Sequence, residues 1–231
     1  MFVTILVGYP FPLCINPAYS MYQTVPDCWI QPNWLARSSL AVAPDLLGCR
    51  LVRRLPDGNL LQGTIVETEA YTHGDPACHA YRRRTVRNSV MFGPAGFAYV
   101  YLIYGMYHCL NVVTDLDGWA SAVLLRSLQV DWVPANFVTK PNGTKLQPEL
   151  ERLAAGPGKL CQLFQIDRQF TGQPFHPTTH LWLEPRSPHF QHQLNHGQIQ
   201  FVQTTRIGLT RGIELPWRWY IADCPAVSKQ G

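Results

Sequence analysis

Two of the six glutamates in this 231-residue chain lie two positions apart, in Ile65-Val-Glu-Thr-Glu-Ala-Tyr71. In a strand, Glu67, Glu69 and Tyr71 share one face, and Val66, Thr68 and Ala70 take the other. A carboxylate beside an aromatic ring can serve there as a general base. The same pattern equally describes a solvated outer face, and parity does not separate Glu67 from Glu69. Four tyrosines, Tyr99, Tyr101, Tyr104 and Tyr107, crowd a later stretch that continues through His108 to Asn111. Four arginines in six residues, Arg82, Arg83, Arg84 and Arg87, precede them. Rings alternating with other residues after an arginine run suit stacking of nucleobases above a held phosphate backbone. Each stretch alone is also common in ordinary cores or on solvated surfaces. Arg126 closes the apolar run Ala122-Val-Leu-Leu, where a buried guanidinium needs a partner or water. It could pair with a glutamate for structure alone, or hold a water molecule against it.

The basic residues are unevenly chosen. Fifteen are Arg and four are Lys, and no lysine precedes Lys140. Arginine suits planar contacts to phosphate, carboxylate and aromatic faces, but a net charge of +4 does not by itself establish a polyanion partner. Hydrophobic residues at 46% and aromatics at 12% exclude a wholly disordered chain. No apolar run approaches the ~18 residues of a spanning helix, so no membrane partner is expected. Seven scattered cysteines, none in C-x-x-C spacing, read as free thiols in a reducing, intracellular compartment.

These side chains need a scaffold, and the sequence outlines one. Residues 1–33 carry five prolines, one acid and no basic residue, which argues against a secretory or transit leader. They read as an irregular extension ahead of a domain spanning 34–231. A short helix is expected over 39–47, ending at Gly48. Residues 49–55 and 61–71 form a hairpin around Pro56-Asp-Gly-Asn59. Runs 97–104, 106–114 and 120–128, split by Gly105 and Asp115-Leu-Asp-Gly118, predict an antiparallel meander. Helices fit 148–155 and 158–165, and late strands fit 180–184, 199–206 and 217–222. Segments 132–149 and 171–197 read as surface excursions. His189, His192 and His196 have helical spacing, but Pro188 and Gly197 favour a polar loop, and no metal is expected. Without βαβ alternation, the class is α+β: a single domain with a curved antiparallel sheet flanked by helices.

Several motifs fall in one order. Glu67-Thr-Glu-Ala-Tyr71, His79-Ala80, Arg87-Asn88, Met91-Phe-Gly-Pro94, Tyr99-Val-Tyr-Leu-Ile-Tyr-Gly-Met106, Leu110-Asn111 and Val123-Leu-Leu-Arg126 come first. Gly156-Pro-Gly-Lys-Leu-Cys161, Arg206-Ile-Gly208 and Pro216-Trp-Arg218 follow. Over roughly residues 35–222 the chain resembles the alkyladenine (3-methyladenine) DNA glycosylase family. The resemblance implies hydrolysis of the N-glycosidic bond of alkylated or deaminated purines, such as 3-methyladenine, hypoxanthine and ethenoadenine, in double-stranded DNA. Glu69 would be the base that deprotonates the attacking water, through an oxocarbenium-like transition state. Arg126 would help hold that water, with a backbone carbonyl near Ile207. Tyr104 would wedge into the gap left by the flipped nucleotide. The base would stack between Tyr71 and the pair His79 and Tyr101, with Asn111 crowding the 2-amino group of guanine. Arg82, Arg83, Arg84 and Arg87 would lie along the DNA backbone. No cofactor or metal is implied, and the protein is expected to act as a monomer wherever the cell keeps its DNA. Because a lyase needs an amine nucleophile, the absence of lysine before Lys140 predicts a monofunctional enzyme that leaves an intact abasic site. The rival readings are a non-catalytic damaged-DNA binder and a hydrolase of free nucleosides.

Overall fold

In the computed structural model, which describes residues 28–130, 133 and 150–231, an antiparallel sheet curls around one long strand. The elements run α1 (Pro32–Leu35), α2 (Ser39–Leu46), β1 (Arg50–Arg54), β2 (Leu60–Tyr71), β3 (Ala98–Ile103), β4 (Tyr107–Val113), β5 (Ala122–Gln129), α3 (Pro157–Leu163), β6 (Leu181–Glu184), α4 (Pro188–Asn195), β7 (Phe201–Thr204) and β8 (Arg218–Ile221). The expected hairpin and meander are both present. The class is the α+β, single-domain curved sheet expected.

β2 is the hub. One edge pairs with β5 from Thr64 to Tyr71; the other pairs with β1 at Leu60–Thr64 and then with β8 at Glu67–Glu69. Residues 65–70 of β2 are all buried, so side chains on both faces of the strand are covered, which removes the solvated-face reading of the two glutamates. The β2–β5 ladder is irregular at one place. Ile65 pairs with Leu128 and Glu67 with Ser127, leaving Val66 extra; then Thr68 pairs with Leu125, leaving Arg126 extra. Paired bulges of this kind re-aim side chains while the flanking register is kept.

Beyond the bulges the register aligns Glu69 with Leu124, Leu124 with Asn111, and Asn111 with Tyr99, one row across β2, β5, β4 and β3. Residues of one row, and those two positions along each strand, project from the same face. Tyr71, Tyr99, Tyr101, Val113 and Ala122 accordingly share one cluster with Cys78 and Met91 of the β2–β3 connection. Ala70, Val100, Leu110, Val112, Val123 and Leu125 point the other way, into the main core that α2 and α3 help to cover.

Several details depart from expectation. Segment 171–197 is not a surface excursion: Phe175, Leu181, Trp182 and Leu183 are buried, and β6 pairs with β1. His189 and His192 lie in a helix and His196 caps its end, because Pro188 at the first helical position and Ser187, whose Oγ accepts from Phe190 N at 3.1 Å, start α4. The residues read as breakers are its start signals, and Gly197 (φ 68°) follows its end. His192 and His196 stack at 4.0 Å. Of the expected helix 148–155 the described part holds only a 3₁₀ turn, Leu150–Arg152. Cys49, Cys78, Cys109, Cys161 and Cys224 are buried free thiols, but Cys28 is disulfide-bonded. It lies ahead of α1 and is only half-buried, whereas the other five are buried. Ile30 is already packed, its N–H donating to Leu183 O at 2.8 Å. The readings of 1–27 and 134–149 fall outside the described residues. No helix among the described residues is long and apolar enough to cross a membrane.

Candidate active site

The bulge at Arg126 turns its guanidinium between the two carboxylates. Nε donates to Glu67 Oε1 at 2.9 Å and Nη1 pairs with Glu69 Oε1 at 3.1 Å. The two glutamates are equally buried yet differently served. Glu67 Oε1 accepts from Arg126 Nε, Arg218 Nε (2.8 Å) and Ser228 Oγ (2.9 Å); its Oε2 accepts from Ser127 Oγ (2.7 Å) and Ser228 N (2.8 Å). With five donors, Glu67 has no lone pair left for chemistry. Burial pushes its carboxyl up, but Arg126, Ser127 and Ser228 outweigh burial and hold it below the usual carboxylate range. Glu69 is served more lightly. Among the described residues, its Oε1 takes Arg126 and the Ile207 N–H (2.8 Å), and its Oε2 takes only the Tyr71 hydroxyl (2.8 Å). Burial and the neighbouring Glu69 raise the Tyr71 phenol well above its ordinary value, so it remains a donor. Geometry thus separates the two glutamates where parity could not.

Aromatic rings surround Glu69. Arg206 lies over Tyr71, 4.6 Å from its centroid, which leaves the opposite face for any stacked ligand. Arg206 is fixed by a buried two-pronged pair with Asp75 and by Nη1 donating to Ala70 O at 2.9 Å. His79 and Tyr101 meet edge to face at 4.5 Å, and His79 Nδ1 is 2.8 Å from the Tyr99 hydroxyl. Asn111 donates to Tyr99 O at 3.0 Å, which fixes the direction of its amide within the row. Tyr71, Tyr101 and Asn111 lie on one face of the sheet, and His79 packs against Tyr101 there.

Tyr104 stands apart at the β3–β4 turn. Tyr104 (φ 52°) and Gly105 (φ 72°) both have positive φ, as a type I′ hairpin turn demands. For a tyrosine that conformation is strained. The ring is 80% exposed, so burial does not offset the strain. The arginine run is held outward by buried Asn88, whose Nδ2 donates to His79 O (2.9 Å) and Arg83 O (3.1 Å) and whose Oδ1 accepts from Thr85 N (2.6 Å). Arg84 lies over Phe92 and Arg87 over Tyr101.

The methylpurine-DNA glycosylase family matches residues 33–225. The chain belongs to that family. Over 200 residues it is 56% identical to a protein of Trichodesmium erythraeum, covering 87% of this chain and 97% of that protein. A relative from Synechococcus sp. (strain JA-3-3Ab) is 54% identical over 204 residues, 85% of this chain and 97% of its own length. One from Carboxydothermus hydrogenoformans is 45% identical over 199 residues, 86% and 97%. All three bear the name "Putative 3-methyladenine DNA glycosylase".

For this DNA glycosylase, sequence reasoning had assigned no role to Arg218, Ser127, Ser228, or the Arg206–Asp75 pair. Arg206 and Arg218 fall in the segments Arg206-Ile-Gly208 and Pro216-Trp-Arg218, which is their only signal; the serines have none. One consequence concerns His79. Burial, then the positive charge of Arg87, lowers its pKa. The shift favours the neutral ring at neutral pH. Titration of His79 by NMR is expected to give a value below the ordinary ~6.5. Arg87→Gln removes one cause and is expected to move it upward; no change would contradict the cause given.

Proposed function

We propose that the chain is a monofunctional glycosylase that everts alkylated or deaminated purines from double-stranded DNA and hydrolyses their N-glycosidic bonds. The observation that supports this most is the unequal service of the two carboxylates. Glu69 keeps acceptor capacity at Oε2 beside Tyr71, while Glu67 is saturated and serves Arg126. Glu69 Oε2 takes a proton from water as its oxygen bonds to C1′ and the C1′–N bond breaks, the electron pair leaving with the base. Three of the five N–H donors of Arg126 are engaged, by Glu67, Glu69 and Ser228 Oγ (3.4 Å), so two remain for that water.

Eversion costs a few kcal/mol. Tyr104 fills the vacated space in the duplex, and the everted base stacks on Tyr71 against His79 and Tyr101, each stack contributing about 1–3 kcal/mol. Asn111 rejects guanine by crowding its 2-amino group. Cationic 3-methyladenine leaves readily, and the same pocket accepts hypoxanthine and ethenoadenine. The protein works as a monomer, without a cofactor, on the cellular DNA, and the arginine run 82–87 follows the phosphates.

Release of free purine by purified protein tests this reading. It is expected from duplexes carrying 3-methyladenine, hypoxanthine or ethenoadenine, and not from the free nucleosides. Binding without release would favour the non-catalytic binder. The monofunctional claim has its own check, because the described lysines include Lys229, next to the Glu67 ligand Ser228. Borohydride added during turnover is expected to trap no covalent protein–DNA adduct. Any trapped adduct would overturn the monofunctional reading, and its loss in Lys229→Gln would name the nucleophile.

A further inference from the structure

We infer that Arg211 closes a phosphate-binding cleft against Arg82 and Arg83, gripping one backbone phosphate of DNA beside the everted nucleotide. The inference rests on the reading above, that the chain acts on duplex DNA, and adds a contact which neither the motifs nor the arginine run contains. A cleft of about 330 Å³ lies beside His79, between the 76–85 segment and Arg211; Pro76, Arg82, Arg83 and Thr85 also line it. No carboxylate among the described residues lines it. Among the described residues, the guanidinium groups of Arg82, Arg83 and Arg211 have no hydrogen bond or ion pair. Three arginines without a carboxylate partner thus line one open cleft, and a phosphodiester matches their planar donors and offsets their like charges. The Thr85 hydroxyl accepts from Asn88 N at 3.4 Å and still has its own hydrogen to donate.

The run is thereby divided. Arg84 and Arg87 lie over aromatic rings, while Arg82 and Arg83 line the cleft that Arg211 also lines. Both walls are anchored. Asn88 holds the first through His79 O and Arg83 O. The second is held by Arg206, whose Nη2 donates to Gly212 O at 3.4 Å while paired with Asp75. Packing is tight there: a Cβ on Gly212 (φ 57°) would come within 3.2 Å of Arg206 and 3.3 Å of Asp75. The same loop begins with Ile207, whose N–H reaches Glu69. The loop that grips the phosphate thus also holds the carboxylate.

The test is the salt dependence of duplex affinity, measured by fluorescence anisotropy from about 50 to 200 mM salt. Each phosphate neutralised contributes about 0.9 to the slope of log K against log salt. Arg211→Gln is expected to reduce the magnitude of that slope by about 1, equally on damaged and undamaged duplexes. Arg211 is exposed, so the variant folds. Arg168→Gln, exposed beyond Asp167 and outside the cleft, carries the same charge change and is expected to leave the slope as it is. An Arg211→Gln slope equal to wild type, or to Arg168→Gln, overturns the cleft. If wild type still releases purine, only the cleft assignment has failed. If wild type neither binds duplex nor releases purine, the glycosylase reading fails and the cleft falls with it.

Discussion

Glu69→Gln is expected to lower single-turnover purine release by at least about 10²–10⁴-fold, the usual contribution of a general base. The amide is nearly isosteric, and its oxygen can still accept from Ile207 N. Arg126 keeps its second carboxylate, Glu67, at 2.9 Å. The fold and the aromatic pocket therefore remain, and affinity for damaged duplex is expected to stay within about a few-fold of wild type. What disappears is the acceptor for the proton of the attacking water. The loss corresponds to about 3–5 kcal/mol of transition-state stabilisation at 1.36 kcal/mol per decade.

Glu67→Ala is expected to fail in a different way. The substitution strips both Arg126 and Arg218 of a buried partner and leaves Ser127 and Ser228 without their shared acceptor. Removing one member of a buried ion pair costs about 3–5 kcal/mol, because the remaining charge is uncompensated. That is a large share of the ~5–15 kcal/mol by which domains are usually stable. Urea unfolding is expected to show a lower midpoint with an unchanged slope. A loss below about 1 kcal/mol would contradict the anchoring role. Acid provides an internal check. The folded-state pKa of Glu67 is depressed, so its contribution is present above the unfolded value of about 4.3 and is lost as pH falls through the folded value. The gap between wild type and Glu67→Ala is expected to narrow below about pH 4.

The two glutamates show how far a sequence can be read. Alternation placed Glu67, Glu69 and Tyr71 on a strand, and Pro56-Asp-Gly-Asn59 marked the turn before it, because both signals are local. The paired bulges at Val66 and Arg126 are not local. They follow from the fit of β2 against β5, and they decide which carboxylate is saturated. The donors that saturate Glu67 come from up to 161 residues away, at Ser228, with no periodicity to announce them. The tyrosines and Asn111 were legible as an aromatic meander, whereas their alignment in one row with Glu69 needed the strand register. At α4 the error was of another kind. Proline and glycine break a helix in its interior, but Pro188 lies just inside the start of α4 and Gly197 just past its end, where they bound it.

The most direct test of the division of labour between the carboxylates is release of 3-methyladenine from methylated duplex DNA, with enzyme in excess, by wild type and Glu69→Gln side by side. Wild type is predicted to free the base, and Glu69→Gln to bind the same duplex and leave the base attached. Release by Glu69→Gln at the wild-type rate would contradict Glu69 as the general base.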